Sequence, residues 1–324
     1  MPIPGAFALY CDPPALDQCP GKLRSTVKTS VGSSLSWLDR YTPSLNEQHY
    51  SRKKPKVSMG ASDKSTVPVP AEGELDLSST ATQRTFKNLT IIRHPGNVFV
   101  LTMCKPPENR LNTVFAQTII SALRHIESSI GPDAPGAVII RGADHKFWCT
   151  GLELDESDRN PYANADGFYP LLATLLDYPF PTIALLTGHT FGGAGPFALS
   201  CDYRIMNAKR GFFSMPPVNL GLHFDGIGAL PRLKLGGRVA RKMLLEAHRW
   251  TGKEALADGI VDEICEPERM EERAIEVARE HAPRARMGVY GLLRSELWGE
   301  ALEKFRTISY VHRKRVGTAA KAKI

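Results

Sequence analysis

The stretch from residue 113 to residue 207 alternates segments of helical periodicity with short apolar runs that are typical of buried strands. Such alternation predicts an α/β domain with a sheet that is at least partly parallel, because helices can then connect strands that run in the same direction. The predicted helices cover about 113–130, 168–177 and a segment from about 193, and the predicted strands are 137-AVIIRG-142, 182-TIALLTG-188 and 203-YRIMN-207.

The segments on either side of this stretch have a different character. Residues 1–85 are rich in Ser, Thr, Pro and Lys and show no sustained period, so we predict that they are largely disordered, with a transit peptide as the alternative. Order is predicted to begin with 87-KNLTIIRHPGNVFVLTM-103, where Pro95-Gly96 separates two strand-like runs and indicates a hairpin. Helices are predicted beyond about residue 226, over 237–247, 253–259, 268–282 and 288–315.

Composition and charge exclude several function classes. No run approaches the roughly 18 uninterrupted apolar residues of a membrane-spanning helix, so we expect no membrane span. The net charge is +7, but the 7 Lys/Arg of the last 21 residues, with no acid among them, account for much of it. Residues between the N-terminal 85 and this tail hold 24 basic and 26 acidic side chains, a balance that argues against a nucleic-acid surface.

The six cysteines form no C-x-x-C pair, and no histidine spacing beside them suits zinc. We therefore predict no metal site and expect reduced thiols in an intracellular compartment. Cys149 and Cys201 stand next to glycine-rich or apolar segments without a recognisable histidine partner, which favours small buried side chains over nucleophiles.

Two turns carry backbone groups that could do chemistry. In 146-KFWCTGLELDE-156, Gly151 permits a tight turn that leaves the N–H of Leu152 near the start of the next segment. In 188-GHTFGGAGPFALSCDYRIM-206, Gly192 and Gly193 let the backbone approach a ligand at the beginning of a predicted helix. Two such turns could direct one N–H each at a single oxygen, as in an oxyanion hole. Spacing alone equally allows tight turns and close helix packing, and neither G-x-G-x-x-G nor the Walker lysine is present.

Five motifs, which lie in order within residues 89–268, a span of over half of the chain, carry a resemblance to a known family. They are 106-PPENRLNT-113, 147-FWCTGLEL-154, 179-PFPTIALLTGHTFGGAGPFALSCDYRIM-206, 216-PPVNLGL-222 and 250-WTGKEALADGIVDEI-264. The sequence resembles the enoyl-CoA hydratase/isomerase (crotonase) family, and is most similar within it to Δ3,Δ2-enoyl-CoA isomerases of the plant-like peroxisomal type.

The resemblance implies an α/β fold, a crotonase-type spiral of β-β-α repeats with a helical C-terminal part. It divides the chain into an acyl-CoA core over 86–265, a helical trimerisation part over 266–318 and a tail over 319–324. It also implies a homotrimer or hexamer and a thioester carbonyl held by the N–H groups of Leu152 and Gly193. Coenzyme A would enter as part of the substrate, without a separate cofactor. We predict substrate contacts for Lys146, Phe147, Cys149, Gly151 and Gly192.

The sequence departs from the family pattern at both usual glutamates. The first position falls on Pro196 and the second on Pro217, and proline cannot transfer a proton. In 221-GLHFDGIG-228, which resembles the corresponding run of dienoyl-CoA isomerases, Asp225 stands eight residues beyond Pro217, and we predict that it is the proton-transfer group. The alternative is that Asp225 caps a helix starting near Gly226.

Other candidates for the acid or base are weaker. His223 could titrate near neutral pH, but a loop histidine without an evident partner is more often a surface or packing residue. Asp155 and Glu156 are predicted to be solvated charges at a helix start, with contact to the acyl chain as the less favoured interpretation.

The expected activity is a shift of an enoyl-CoA double bond from Δ3 to Δ2. A hydratase or lyase with a relocated acid and a catalytically silent acyl-CoA-binding subunit remain as alternatives. The C-terminal Ala322-Lys323-Ile324 is similar to the peroxisomal address S-K-L, so we expect a peroxisomal location and recognition by the peroxisomal import receptor.

Overall fold

The computed structural model describes residues 82–310, in which the strands form two sheets of unequal size. The seven-stranded sheet has the order β1-β2-β3-β4-β6-β8-β10, and the three-stranded sheet has the order β5-β7-β9. The first two pairings of the large sheet are antiparallel and all the others are parallel. The strands are β1 (Thr82–Phe86), β2 (Leu89–His94), β3 (Val98–Met103), β4 (Ala137–Gly142), β5 (Phe147–Cys149), β6 (Thr182–Leu186), β7 (His189–Phe191), β8 (Tyr203–Asn207), β9 (Phe213–Ser214) and β10 (Glu263–Cys265).

From β4 to β10, consecutive strands alternate between the two sheets. After each of β4, β6 and β8 in the large sheet, the next strand, β5, β7 or β9, joins the small sheet. Helices follow β5 and β7 before the chain returns to the large sheet. This arrangement confirms the predicted spiral of β-β-α repeats. It also sets the strands of the small sheet side by side, although about 40 residues separate β5 from β7 and about 20 separate β7 from β9.

The helices agree closely with the sequence pattern. In the first, apolar side chains at Phe115, Ile119, Leu123 and Ile126 are buried at helical spacing, and the Asn112 side chain caps its start by accepting from the N–H of Phe115. The helices are α1 (Thr113–Ile130), α2 (Leu154–Arg159), α3 (Tyr169–Leu176), α4 (Ala194–Ser200), α5 (Ala229–Lys234), α6 (Gly237–Leu245), α7 (Gly252–Ala257), α8 (Met270–His281) and α9 (Val289–Tyr310), and a π-helical turn over Asn164–Phe168 precedes α3.

The predicted hairpin is confirmed, but the predicted start of order is too late. Strands β2 and β3 pair antiparallel across Pro95-Gly96. Strand β1 then adds to the edge of this hairpin, although residues 82–85 fall in the segment predicted to be disordered. The side chains of Thr82–Thr85 are exposed, so this strand depends on backbone hydrogen bonds and leaves no hydrophobic period to detect. The rest of the predicted N-terminal extension and the tail lie outside the described residues.

The large sheet is covered on both faces. One face packs with α1 and α3 in the main core, and the other packs against α8 through side chains such as Ala274 and Val277. Helix α9 is attached by the buried Arg294, whose guanidinium donates to the carbonyl oxygens of Tyr178, Phe180 and Ser200 and pairs with Asp202 at 3.0 Å. None of the helices between residues 82 and 310 is long and apolar enough to cross a membrane.

Candidate active site

The two glycine-bearing turns and the 215–228 loop leave neighbouring strands of the small sheet. The first turn follows β5, the second follows β7, and the loop with Pro217 and Asp225 follows β9. Because the three strands are parallel and adjacent, their carboxyl ends meet at one edge of the sheet. The topology thus brings together three segments that sequence analysis selected separately.

The first turn is held by the main chain of Leu111. The N–H of Leu111 donates to the Gly151 carbonyl oxygen at 2.7 Å, and the N–H of Glu153 donates to the Leu111 carbonyl oxygen at 2.8 Å. These bonds fix the peptides on both sides of Leu152. Gly151 has φ +95°, a conformation that a residue with a side chain rarely adopts.

The second turn lies directly against the first. A methyl group at Gly151 would be 2.9 Å from the amide nitrogen of Gly193 and 2.8 Å from the Phe191 carbonyl oxygen, so no side chain fits between the turns. A methyl group at Gly193 would in turn lie 2.9 Å from the Leu152 side chain. Within residues 82–310, neither the Leu152 amide nor the Gly193 amide donates to a protein acceptor. Two adjacent turns therefore each retain an N–H for a ligand.

A small enclosed cavity is lined by Leu152 and Gly193 together with apolar side chains. It has a volume of about 10 Å³, close to the minimum for one water molecule. The hydroxyl of Tyr169 is the one side-chain polar group of its lining, and it donates to the Asp225 carbonyl oxygen at 2.8 Å. Burial raises the pKa of Tyr169, so the phenol stays neutral. The lining residues are Leu152, Phe168, Tyr169, Leu172, Gly193, Pro196, Phe224, Gly226, Ile227 and Phe305.

The two prolines at the usual glutamate positions are placed differently. Pro196 lies in α4 and lines the cavity, so the missing first acid would have faced it. Pro217 begins a 3-10 turn over Pro217–Leu220 in the loop after β9 and is not part of the lining. Neither position supplies a titratable group.

Asp225 belongs to the loop that closes the cavity, but its carboxylate lies outside the lining. The side chain is 57% exposed and pairs with the ammonium group of Lys304 on α9 at 3.3 Å. The alternative role as a helix cap is wrong, because α5 begins at Ala229 with Gly228 at its N-cap and without a side-chain cap. Its role in proton transfer stays a prediction.

The weaker acid and base candidates are also apart from the cavity. His223 and Asp155 are exposed and do not contribute to its lining. Glu156 is not a merely solvated charge, because its carboxylate accepts from the N–H of Thr113 at 2.9 Å, at the start of α1. Cys149 and Cys201 are fully buried free thiols, as expected, and burial raises their pKa values to about 12 and about 11.

The remaining predicted substrate contacts lie along the first turn and its neighbour. Lys146 is exposed, with its ammonium group 4.9 Å from the centre of the Phe147 ring. Phe147 packs beside His189 with ring centres 5.8 Å apart. Gly192 has φ +58°, and its N–H donates to the Ser214 carbonyl oxygen at 2.9 Å. In the described part of the chain, no group of three or more His, Cys, Asp or Glu side chains could hold a metal ion.

Sequence reasoning missed the residues that complete the cavity. Tyr169 and Phe305 stack with ring centres 6.0 Å apart, and each lines the cavity. Both residues are aromatic in the sequence, but an aromatic residue in a predicted helix usually indicates ordinary core packing and not a functional site. Nothing local connects Phe305 with Gly193, which precedes it by more than a hundred residues.

Comparison with known proteins agrees with this arrangement of sheets and turns. The family model described as Enoyl-CoA hydratase/isomerase matches residues 93–296, and the chain belongs to that family. Among curated proteins it is similar to Enoyl-CoA delta isomerase 3 of Arabidopsis thaliana, with 33% identity over 217 residues, 63% of this chain and 90% of that protein. It is also similar to the Arabidopsis Enoyl-CoA delta isomerase 2, peroxisomal, with 35% identity over 178 residues, 52% of this chain and 73% of that protein.

Solved structures show the same fold. The crystal structure of an enoyl-CoA hydratase (ECHA3) from Mycobacterium marinum superposes with a TM-score of 0.64 over 71% of this chain and 100% of that chain, at 23% identity. Human mitochondrial delta3-delta2-enoyl-CoA isomerase superposes with a TM-score of 0.60 over 70% of this chain and 93% of that chain, at 19% identity. These likenesses confirm the crotonase-type fold.

Proposed function

We propose that this protein shifts the double bond of an enoyl-CoA from Δ3 to Δ2, with the thioester oxygen held between the N–H groups of Leu152 and Gly193. The observation that carries the proposal is the contact between the two turns, each with an amide that has no protein acceptor in the described residues, beside an apolar cavity. Similarity to two delta isomerases of Arabidopsis supports the reaction type.

In the proposed mechanism, a base removes a proton from C2 of the 3-enoyl thioester. The electron pair moves onto the thioester oxygen as an enolate, which the two amides stabilise by hydrogen bonds that strengthen as charge develops. A proton then returns at C4, so that the double bond moves from C3–C4 to C2–C3. Proton removal and return balance, and no redox partner is required.

Asp225 remains our proposal for the group that carries this proton. Its neighbours Phe224, Gly226 and Ile227 line the cavity, so a local change in this loop would bring the carboxylate to the cavity wall. Some change is necessary, because about 10 Å³ cannot hold an acyl chain. The exposed ion pair with Lys304 opposes such a change only weakly, since pairs of this kind contribute about 0–1 kcal/mol.

The cavity lining also indicates the substrate class. It contains aromatic and aliphatic side chains, and its one side-chain polar group, the Tyr169 hydroxyl, already donates to the Asp225 carbonyl oxygen. Burial of a charged or hydrogen-bonding acyl substituent there would leave that substituent without a partner, at a cost of several kcal/mol. The proposed substrate is accordingly an unsubstituted aliphatic 3-enoyl-CoA, and coenzyme A enters as its carrier.

A steady-state assay of the purified protein tests the reaction. We expect conversion of a 3-enoyl-CoA into the 2-enoyl-CoA, followed by the absorbance of the conjugated thioester, and slow or no addition of water to the 2-enoyl-CoA. Fast hydration without a double-bond shift would contradict the proposal and favour a hydratase or lyase with a relocated acid.

A second candidate is a catalytically silent acyl-CoA-binding subunit. The exposed Asp225 carboxylate and the two prolines favour it, because no carboxylate lines the cavity. Calorimetric binding of an acyl-CoA without turnover of any enoyl-CoA would support this candidate. A Pro217→Glu variant that gains isomerase activity would then show that only the acid is missing.

We also propose a homotrimer or hexamer in the peroxisome. Leu292, Leu293 and Leu297 on α9 are each more than 60% exposed, which leaves an apolar surface suited to contact with another copy. Two similar Arabidopsis proteins are named as peroxisomal, and the Ala322-Lys323-Ile324 tail supports the same location. Light scattering after size-exclusion chromatography tests the assembly, and loss of organellar import after removal of the tripeptide tests the location.

A further inference from the structure

Glu153, the residue after the proposed donor Leu152, is joined to two other segments by its carboxylate. One carboxylate oxygen pairs with the ammonium group of Lys105, and the other accepts from the side-chain amide of Asn112 at 2.9 Å. Glu153 also donates its backbone N–H to Leu111 at 2.8 Å. The side chain and the backbone of this residue thus fix the same turn.

Lys105 is confined more strongly than a surface lysine. Its side chain is only 13% exposed, and its ammonium group also donates to the Arg110 carbonyl oxygen at 2.7 Å and lies 5.7 Å from the centre of the Phe115 ring. Asn112 completes the connection, because its amide oxygen accepts from the N–H of Phe115 and caps α1. The network therefore attaches the donor turn to the beginning of α1.

The charge of Glu153 presents a problem for an oxyanion site. Burial would raise the pKa of Glu153, but hydrogen bonds from Lys105 and Asn112 outweigh this effect and lower the pKa, so the carboxylate is ionised at neutral pH. A negative charge one residue from Leu152 would oppose the negative charge that develops on an enolate oxygen. The ammonium group of Lys105 offsets it.

We propose that Lys105 is a positioning residue of the oxyanion site, which acts through Glu153 by holding the Leu152 turn and by neutralising the Glu153 carboxylate. The inference rests on the proposed function and identifies residues for it beyond the two amides. The inference predicts that loss of the Lys105 charge lowers activity more than loss of the Glu153 charge. Removal of Lys105 alone leaves the Glu153 carboxylate without its ammonium partner, one residue from Leu152, whereas removal of both charges does not.

The test uses K105M, E153Q and the double variant K105M/E153Q. We expect K105M to lower kcat/KM roughly 10- to 100-fold through kcat, somewhat less than the loss of an oxyanion donor. We expect E153Q to have a smaller effect, and the double variant to recover at least about threefold over K105M, as coupled neighbours do. The matched control is the partly exposed pair of Arg273 and Glu263 at the β10 edge of the large sheet, where R273M and E263Q should leave kcat/KM unchanged.

A spectroscopic measurement separates this inference from the proposed function. The carbonyl stretching band of a bound saturated acyl-CoA should shift to lower frequency in the wild type, shift less in K105M and recover in the double variant. If the wild type binds the thioester without any shift, the oxyanion site itself is wrong and the inference fails with it. If the wild type shows the shift and K105M shows the same shift, or if the double variant is no better than K105M, only the role of Lys105 is overturned.

Discussion

The contact between the two donor turns makes Gly151 the position where a single methyl group should lower both stability and activity. In a Gly151→Ala variant, φ +95° is unfavourable for the new side chain. The methyl group would also lie 2.8 Å from the Phe191 carbonyl oxygen and 2.9 Å from the Gly193 amide nitrogen. Both contacts are with backbone, so the second turn must move.

The magnitudes follow from these two effects. The left-handed conformation costs about 1–2 kcal/mol for a residue with a side chain, and the forced contact costs about a further 1–3 kcal/mol. Displacement of the Gly193 amide is equivalent to loss of one oxyanion donor, which lowers kcat about 100- to 1,000-fold. We therefore expect Gly151→Ala to lose both stability and nearly all turnover.

The matched control is Gly259→Ala. Gly259 has φ +70°, but a methyl group there would meet no atom within 4 Å. Gly259→Ala therefore has the same kind of backbone strain as Gly151→Ala, but no close contact with another turn. It should lose about 1–2 kcal/mol of unfolding free energy and keep its kcat. Urea unfolding and the 3-enoyl-CoA assay measure the two quantities. Turnover by Gly151→Ala at nearly the wild-type rate, or an equal loss of activity in the two variants, would show that the contact between the turns does not position the Gly193 amide.

Three further changes test the base, the cavity and a buried charge. Asp225→Asn should abolish turnover while acyl-CoA affinity changes by no more than a few fold, because the carboxylate is needed only in the transition state; retention of kcat would remove the assignment. Phe305→Ala should enlarge the cavity and raise kcat/KM for longer acyl chains relative to short ones, at a stability cost of about 3–5 kcal/mol, and an unchanged chain-length profile would show that Phe305 does not limit the substrate. Burial, with the Arg204 guanidinium nearby, lowers the pKa of Lys234 to about 7. Between pH 7 and the ordinary lysine pKa the unfolded chain therefore binds a proton that the folded chain has lost, so the free energy of unfolding should rise with pH over this window. Lys234→Met should reduce that rise in urea unfolding at pH 7 and 9.5, and equal slopes in both proteins would contradict it.

Elements with local signals could be predicted from the amino-acid sequence alone. The spacing of Phe115, Ile119, Leu123 and Ile126 predicted α1 because one turn of helix brings such residues to one face. Pro95-Gly96 predicted the hairpin between β2 and β3 because few residues suit a tight turn. Glycines 151, 192 and 193 marked the two turns for the same reason.

Which of these elements are in contact could not be predicted in this way and is known from the fold. The adjacency of β5, β7 and β9 places the two turns in contact, and strand adjacency depends on packing between distant segments, not on local pattern. Packing between distant segments also places Phe305 of α9 in the cavity lining and brings Lys105 to Glu153. Asp225 illustrates the limit most clearly. Its position eight residues after Pro217 could be counted along the chain, but only the structure shows that its carboxylate is exposed and pairs with Lys304, while its neighbours in the loop line the cavity.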